Sequence, residues 1–164
     1  MTILTADAVQ RGRAPGNPEP AFLWSAVFAG GLCLAVVGWT DIALLWWPLD
    51  FGNAEWEFAS VGAHVMGMPL GTLGLVLIAA GALGRGWRAA TVGVAGASAL
   101  VTLSLVGLGA LYATVVPVAL AGTPPELRTV LYKALIKTVV YVVSYLALYS
   151  WLAVYLFRAA KSRR

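Results

Sequence analysis

The sequence predicts an all-α, polytopic membrane protein: four transmembrane helices in an antiparallel bundle, with both termini cytoplasmic. Three observations predict it. Only 11% of the 164 residues are charged and 60% are hydrophobic, whereas a water-soluble domain carries about 25% charged residues. The apolar residues come in four runs, over 22–47, 55–83, 89–116 and 127–157, each longer than the ~20 residues that cross ~30 Å of hydrocarbon. Basic residues gather at alternate ends of those runs, as topology signals do. The length suits one domain, a transmembrane unit over 21–158 between an N-terminal tail (1–20) and a basic cytoplasmic tail (159–164).

The tail, with "RGRAPGNPEP" at 11–20, is polar and rich in small residues and proline, and reads as disordered or surface-lying. The first run begins at Ala21. It is too long for a signal-peptide core and no small-residue cleavage site ends it, so it reads as a retained anchor. In lipid the backbone must satisfy its own hydrogen bonds, so each run is a helix. Strands are excluded by length and by the missing two-residue alternation. The single cysteine, Cys33, lies inside the first run with no second cysteine or histidine nearby, and reads as a small buried apolar side chain.

The exit from the first run, "DIALLWWPLDFGNAEWEF", turns the chain back into the membrane. Pro48 ends the helix and "FGN" supplies the turn. Trp46, Trp47 and Trp56 sit where aromatic rings line the headgroup region. Asn53 is placed to cap the second helix, with Glu55 and Glu57 in a first turn whose dipole favours acids. "GRGWR" (84–88) joins the second and third runs, and "PVALAGTPPE" (117–126) the third and fourth. Short links make neighbouring helices antiparallel. In "TPPE", Thr123 is placed as N-cap, Pro124 at the first helical position and Glu126 three residues on, a capping box.

Eight basic residues (Arg11, Arg13, Arg85, Arg88, Arg158, Lys161, Arg163 and Arg164) fall on one side. Three (Arg128, Lys133 and Lys137) fall on the other. The positive-inside rule puts the first set, and both termini, in the cytoplasm. The net charge of +4 therefore reads as topology, not as nucleic-acid binding.

Small residues recur at helical spacing. Gly31, Leu34, Gly38 and Asp41 form one stripe; Glu57, His64, Gly67, Gly71 and Gly74 another. Gly67 and Gly71 make a G-x-x-x-G pair, the signal for close helix approach. Pro69 lies one turn below His64 and removes one helical hydrogen bond. Gly93 and Gly107 continue the theme in the third run. In the fourth, Lys133, Lys137, Tyr141, Tyr145 and Tyr149 follow at steps of four.

Asp41, His64 and Lys137 fall at matching depth near the outer leaflet. An acid at such depth is costly and usually faces protein or a water pocket. The expectation is one polar cluster of Asp41, His64 and Lys137, with Glu57 or Lys133 above it. Such a cluster reads first as structural, fixing helix register. It also fits a site where His64 binds a quinone, a haem or a chlorophyll-type pigment, or a proton relay in a small proton-coupled transporter. No paired histidines, cysteines or carboxylates form a metal site, so no cofactor is required. No nucleophile–base pair, H-E-x-x-H or phosphate loop is present, so the chain reads as non-enzymatic.

The segment 41–77, with its acid near a helix end, its Pro-containing exit, "NAEWEF" and "MPLGTLGLVL", resembles the uncharacterised HpsJ-like four-helix membrane proteins of photosynthetic bacteria. The resemblance implies a membrane accessory role, with polysaccharide export among the processes served, and no catalytic residues. The expected function is a non-catalytic accessory or assembly subunit in a bacterial inner membrane. Its partners would be the lipid bilayer and the subunits of a larger photosynthetic, respiratory or export complex.

Overall fold

The computed structural model describes residues 18–162. They form four long helices: α1 (Pro18–Leu45), α2 (Ala54–Arg85), α3 (Arg88–Gly122) and α4 (Arg128–Ser162). A single 3-10 turn, Pro125–Leu127, precedes α4. Each of the four is long and apolar enough to cross a membrane. No strand occurs among the described residues. The expected tail over 1–20 lies mostly outside the described residues, as do the last two residues of the basic tail.

Most helix ends run past their expected limits for local reasons, whereas α1 stops at Leu45, two residues short of the expected end. Pro18 starts α1, where a missing N–H costs nothing. At the other end of the chain α4 continues through the expected tail to Ser162. Pro117 does not stop α3, which runs on to Gly122: a proline removes one hydrogen bond and crowds the carbonyl four residues back, but leaves the other bonds of the helix in place. Thr123 is therefore not the N-cap of α4. Its backbone is extended (φ −85°, ψ 127°), as suits a residue before proline. Its hydroxyl donates back to the Ala119 carbonyl at 2.6 Å, closing α3 instead. The capping box is not formed, and Pro124 stands before the 3-10 turn.

The α2–α3 connection is tight. Gly86 takes a left-handed conformation (φ 70°) that glycine adopts without penalty, and its N–H reaches back to the Ala82 and Leu83 carbonyls. The Trp87 N–H donates to the Ala82 carbonyl at 2.9 Å.

The α1–α2 pair is a close, antiparallel seam. A Cβ added at Gly84 or Gly81 of α2 would run into Trp24 or Phe28 of α1. One at Gly74 would meet the Ala35 backbone, and one at Gly67 the Ile42 side chain. From α1, a Cβ at Gly31 would lie 2.7 Å from the Ile78 nitrogen, and one at Gly38 would meet the Gly71 backbone. Ascending residues of α1 thus meet descending residues of α2. Without a hydrophobic force between helices in lipid, such close backbone approach supplies the attraction.

The packing glycines Gly31, Gly38, Gly67, Gly71 and Gly74 are thus placed in one seam. The stripe on α1 differs from the expected one. Gly31 and Gly38 are joined by Ala35 and Ile42, both buried, while Asp41 is exposed. Both stripes share the two glycines, and the seam takes the one that keeps the carboxylate out of an apolar contact. Cys33 likewise faces outward and is exposed, not buried.

Helix α2 is the central element, packing on α1, α3 and α4. The pair α3·α4 is also packed, but α1 touches no long helix besides α2. The core lies between α2, α3 and α4, around Val65, Met68, Leu105, Tyr149 and Leu156. Two buried hydroxyls bond to a carbonyl one turn back: Ser98 donates to the Val94 carbonyl at 2.8 Å and Thr91 to that of Trp87 at 3.0 Å. Between helices, the Thr72 and Tyr149 hydroxyls share a hydrogen bond of 2.7 Å.

Gly93 and Gly107 of α3 are exposed, and a Cβ at either would meet nothing within 4 Å. Within this chain they are not packing glycines. The inner face of α3 is filled by Thr91, Val94, Ala95, Ser98, Leu105 and Tyr112, which turns those two outward.

Candidate functional site at the α1–α2 turn

The turn between α1 and α2 is built from its own polar groups. The Asn53 Oδ1 accepts from the N–H groups of Glu55 and Trp56, both at 3.1 Å, which confirms it as the N-cap of α2. Its Nδ2 donates to an Asp50 carboxylate oxygen at 2.9 Å. Gly52 has φ 95°, a conformation that favours glycine. The Gly52 N–H donates to Oε1 of Glu57 at 2.8 Å. Glu57 is buried, and its carboxylate fastens the turn to the first turn of α2.

Three aromatic rings and His64 close over this turn. Trp46 meets Trp56 edge to face at 5.6 Å between ring centroids, and Phe51 meets Trp56 at 5.7 Å. Trp46 also stands edge-on to His64 at 5.9 Å. The Trp46 Nε1–H donates to Nδ1 of His64 at 3.0 Å. Of the three tryptophans expected at the headgroup level, Trp46 and Trp56 are thus half-buried partners of one another. Trp47 is 79% exposed and stands free for the interface.

The Trp46 bond fixes the chemistry of His64. A nitrogen that accepts a hydrogen bond carries no proton, so the neutral ring bears its proton on Nε2. Nε2 has no hydrogen-bond partner among the described residues. It is therefore a free donor, suited to a carbonyl oxygen. A haem iron or chlorophyll magnesium needs a bare nitrogen, and in this ring the bare nitrogen already holds Trp46.

Because His64 is the chain's single histidine, its nitrogens can be read alone. Solid-state ¹⁵N spectra of the labelled protein in lipid are expected to show a protonated Nε2 and an unprotonated, hydrogen-bonded Nδ1. Trp46→Phe should shift the Nδ1 resonance. A protonated Nδ1 in the parent protein would refute the arrangement.

The five residues of the expected polar cluster are not gathered together. His64 and Glu57 lie at the turn. Asp41 is on the exposed flank of α1, and Lys133 and Lys137 are exposed on α4, a helix α1 does not touch. The reason lies in α4. A step of four residues overshoots a 3.6-residue turn by ~40°, so the stripe from Lys133 to Tyr149 winds around the helix. It starts exposed and ends fully buried at Tyr149. Along it the Lys137 ammonium lies 5.8 Å from the Tyr141 ring centre. Tyr141 and Tyr145 stack at 6.3 Å, and Tyr145 meets Tyr149 at 6.4 Å.

The aromatic arrangement around His64 was missed by sequence reasoning. Trp46, the first residue beyond α1, and His64 of α2 stand eighteen residues apart, and only the antiparallel seam below them brings them opposite. A cavity of about 550 Å³ opens beside the turn, lined by Asn53, Glu55, Phe58, Ala119, Thr123 and Leu131 among others. It is walled by α2, the end of α3 and the start of α4, and does not include His64. Compared with family models, with curated proteins and with solved structures, the chain matches none.

Proposed function

We propose that this chain is a non-catalytic accessory or assembly subunit that packs, as an antiparallel four-helix unit, against a larger membrane complex. It resides in a bacterial inner membrane with both termini in the cytoplasm. The excess of arginine and lysine at the ends of the helices supports that orientation, and the resemblance of 41–77 to HpsJ-like proteins supports the accessory role and the export, photosynthetic or respiratory setting.

The observation that carries the reading is the outer face of α3. Gly93, Gly96 and Gly107 stand there with nothing within 4 Å, beside Leu100 and Leu103, each 67% exposed. The glycines of α2 have the same spacing character and are filled by α1. Those of α3 offer another helix the same close approach. The connections between the described helices are short, so the loops joining them carry little mass for chemistry of their own.

The test is a measurement of mass. The chain, tagged at its C-terminus and released from its source membranes in mild detergent, is expected to migrate far above the mass of two copies, with other membrane chains. Migration with no other protein would overturn the accessory role. The free Nε2–H of His64 favours a second reading, the binding of a quinone-type carbonyl rather than a metal-centred pigment. Lipid extracts of the purified protein would then contain a quinone that His64→Ala loses.

A further inference from the structure

The open side of α2 is a groove with an acid on one wall and a base on the other. Its floor is Met66, Pro69, Leu73 and Val76, all exposed. On the helix surface this stripe lies between the α1 seam (Gly67, Gly71, Gly74) and the positions that meet α4, Gly62 beside Thr138 and Thr72 bonded to Tyr149. The α1 wall carries Asp41. Trp39, on the other flank of α1, packs against the core, so Asp41 stands on the flank beside the groove. The α4 wall carries Lys137 and Tyr141. Leu135 and Val139 of α4 line the α3 side together with Gly109 and Tyr112, which puts Lys137 and Tyr141 on the groove side.

Among the described residues neither charge has a counter-ion, and α1 and α4 do not touch. Both lie within spans long and apolar enough to be in the membrane, where an unpaired charge is expensive. The expected matching depth does not hold: Thr138, next to Lys137, meets α2 at Gly62, whereas Ile42, next to Asp41, meets it at Gly67, so Lys137 sits higher. Its ammonium lies 5.8 Å from the ring centre of Tyr141, one turn deeper.

We infer that this face binds a second copy of the chain, with Asp41 of each copy paired to Lys137 of the other. Two copies in one membrane share an orientation, so their two-fold axis runs along the membrane normal. Placed face to face about that axis, the acidic wall of one copy stands opposite the basic wall of the other, twice. The exposed floors, Met66 and Leu73 above all, then meet across the axis. The pairing of Asp41 with Lys137 thus becomes an intermolecular one, and each copy keeps the outer face of α3 free.

The experiment uses two copies of the full chain with different tags, co-expressed and recovered from membranes in lipid nanodiscs. Parent copies are expected to co-purify. Asp41→Asn should lower the co-purified fraction about tenfold or more, since it strands a buried lysine. The decisive pair is Asp41→Lys in one chain and Lys137→Asp in the other. Each variant opposes like charges when paired with itself, and each restores both ion pairs when paired with the other. The two are expected to co-purify together and neither with itself, which also shows that both fold. Parent copies that never co-purify, Asp41→Asn chains that pair as well as the parent, or reversed variants that self-associate as readily as they pair would each overturn the inference.

Discussion

Leucine in place of Gly74 is expected to separate α1 from α2 and to cost about 3 kcal/mol of stability in micelles, the upper part of the range for overpacking a close contact. A Cβ alone at Gly74 would collide with the backbone nitrogen and Cα of Ala35 and the carbonyl oxygen of Gly31. Backbone atoms in the middle of a helix cannot step aside, so the two helices must part along the seam. Gly38→Leu should behave alike, since its Cβ would meet the Gly71 backbone. The Gly67→Leu, Gly71→Leu double variant should fall between those and the parent in its effect per site. A Cβ at Gly71 meets the Trp39 ring at 3.1 Å and one at Gly67 meets Ile42 at 3.3 Å, and side chains can turn away. Gly93→Leu is the internal control. Its Cβ would meet nothing within 4 Å among the described residues, and the variant should stay within about 0.5 kcal/mol of the parent. Unfolding by sodium dodecyl sulfate, followed by circular dichroism, gives all four values. Equal losses at Gly74 and Gly93 would show that the cost does not arise at the seam, since by helix propensity alone leucine in place of glycine is favourable.

The contrast between Gly74 and Gly93 also marks how far the sequence could be read. Four apolar helices were legible because the membrane imposes length and continuity on each span, and both are local properties. The seam glycines were legible because close approach demands small residues at a fixed period. The periodicity does not say which helix fills the space, so Gly93 and Gly107 carry the same signal as Gly74 while facing outward. For Asp41 the difficulty was that two stripes pass through Gly31 and Gly38, and only contact with α2 selects Ala35 and Ile42 over Leu34 and Asp41. The Lys133–Tyr149 series was misleading because steps of four do not keep to one face over four turns. The Thr123 hydroxyl had two helices to cap, and the extended backbone before Pro124 chose the preceding one. The extent of each helix was readable along the chain; rotation of each helix about its axis was not, since it is set by all its neighbours together.

Tyr149→Ala is expected to be the most damaging single truncation in the core, costing about 3–5 kcal/mol, as large aromatic deletions do when the cavity cannot collapse. Tyr149 is fully buried where α4 crosses α2, and its hydroxyl meets Thr72 at 2.7 Å. Separating the ring from the hydroxyl takes two milder changes. Tyr149→Phe keeps the ring and frees the Thr72 hydroxyl, which can turn to the carbonyl one turn back on its own helix. The loss should be near the ~0.6 kcal/mol typical of hydrogen bonds between membrane helices. Thr72→Val is the harsher of the two, because the phenol has no such local acceptor and is left unsatisfied at a cost of about 1–3 kcal/mol. The Tyr149→Phe, Thr72→Val double variant should then be less destabilised than the sum of the two, because it removes the stranded phenol together with its lost partner. The same detergent titration measures this cycle. Strict additivity would mean that the two hydroxyls do not depend on each other, and that α2 and α4 are held by ring packing alone. A positive coupling would identify this bond as a directional tie between the central helix and α4. Shape-filling fixes how closely two helices approach, whereas a buried hydroxyl pair also fixes how each is turned, the quantity that sequence periodicity left open.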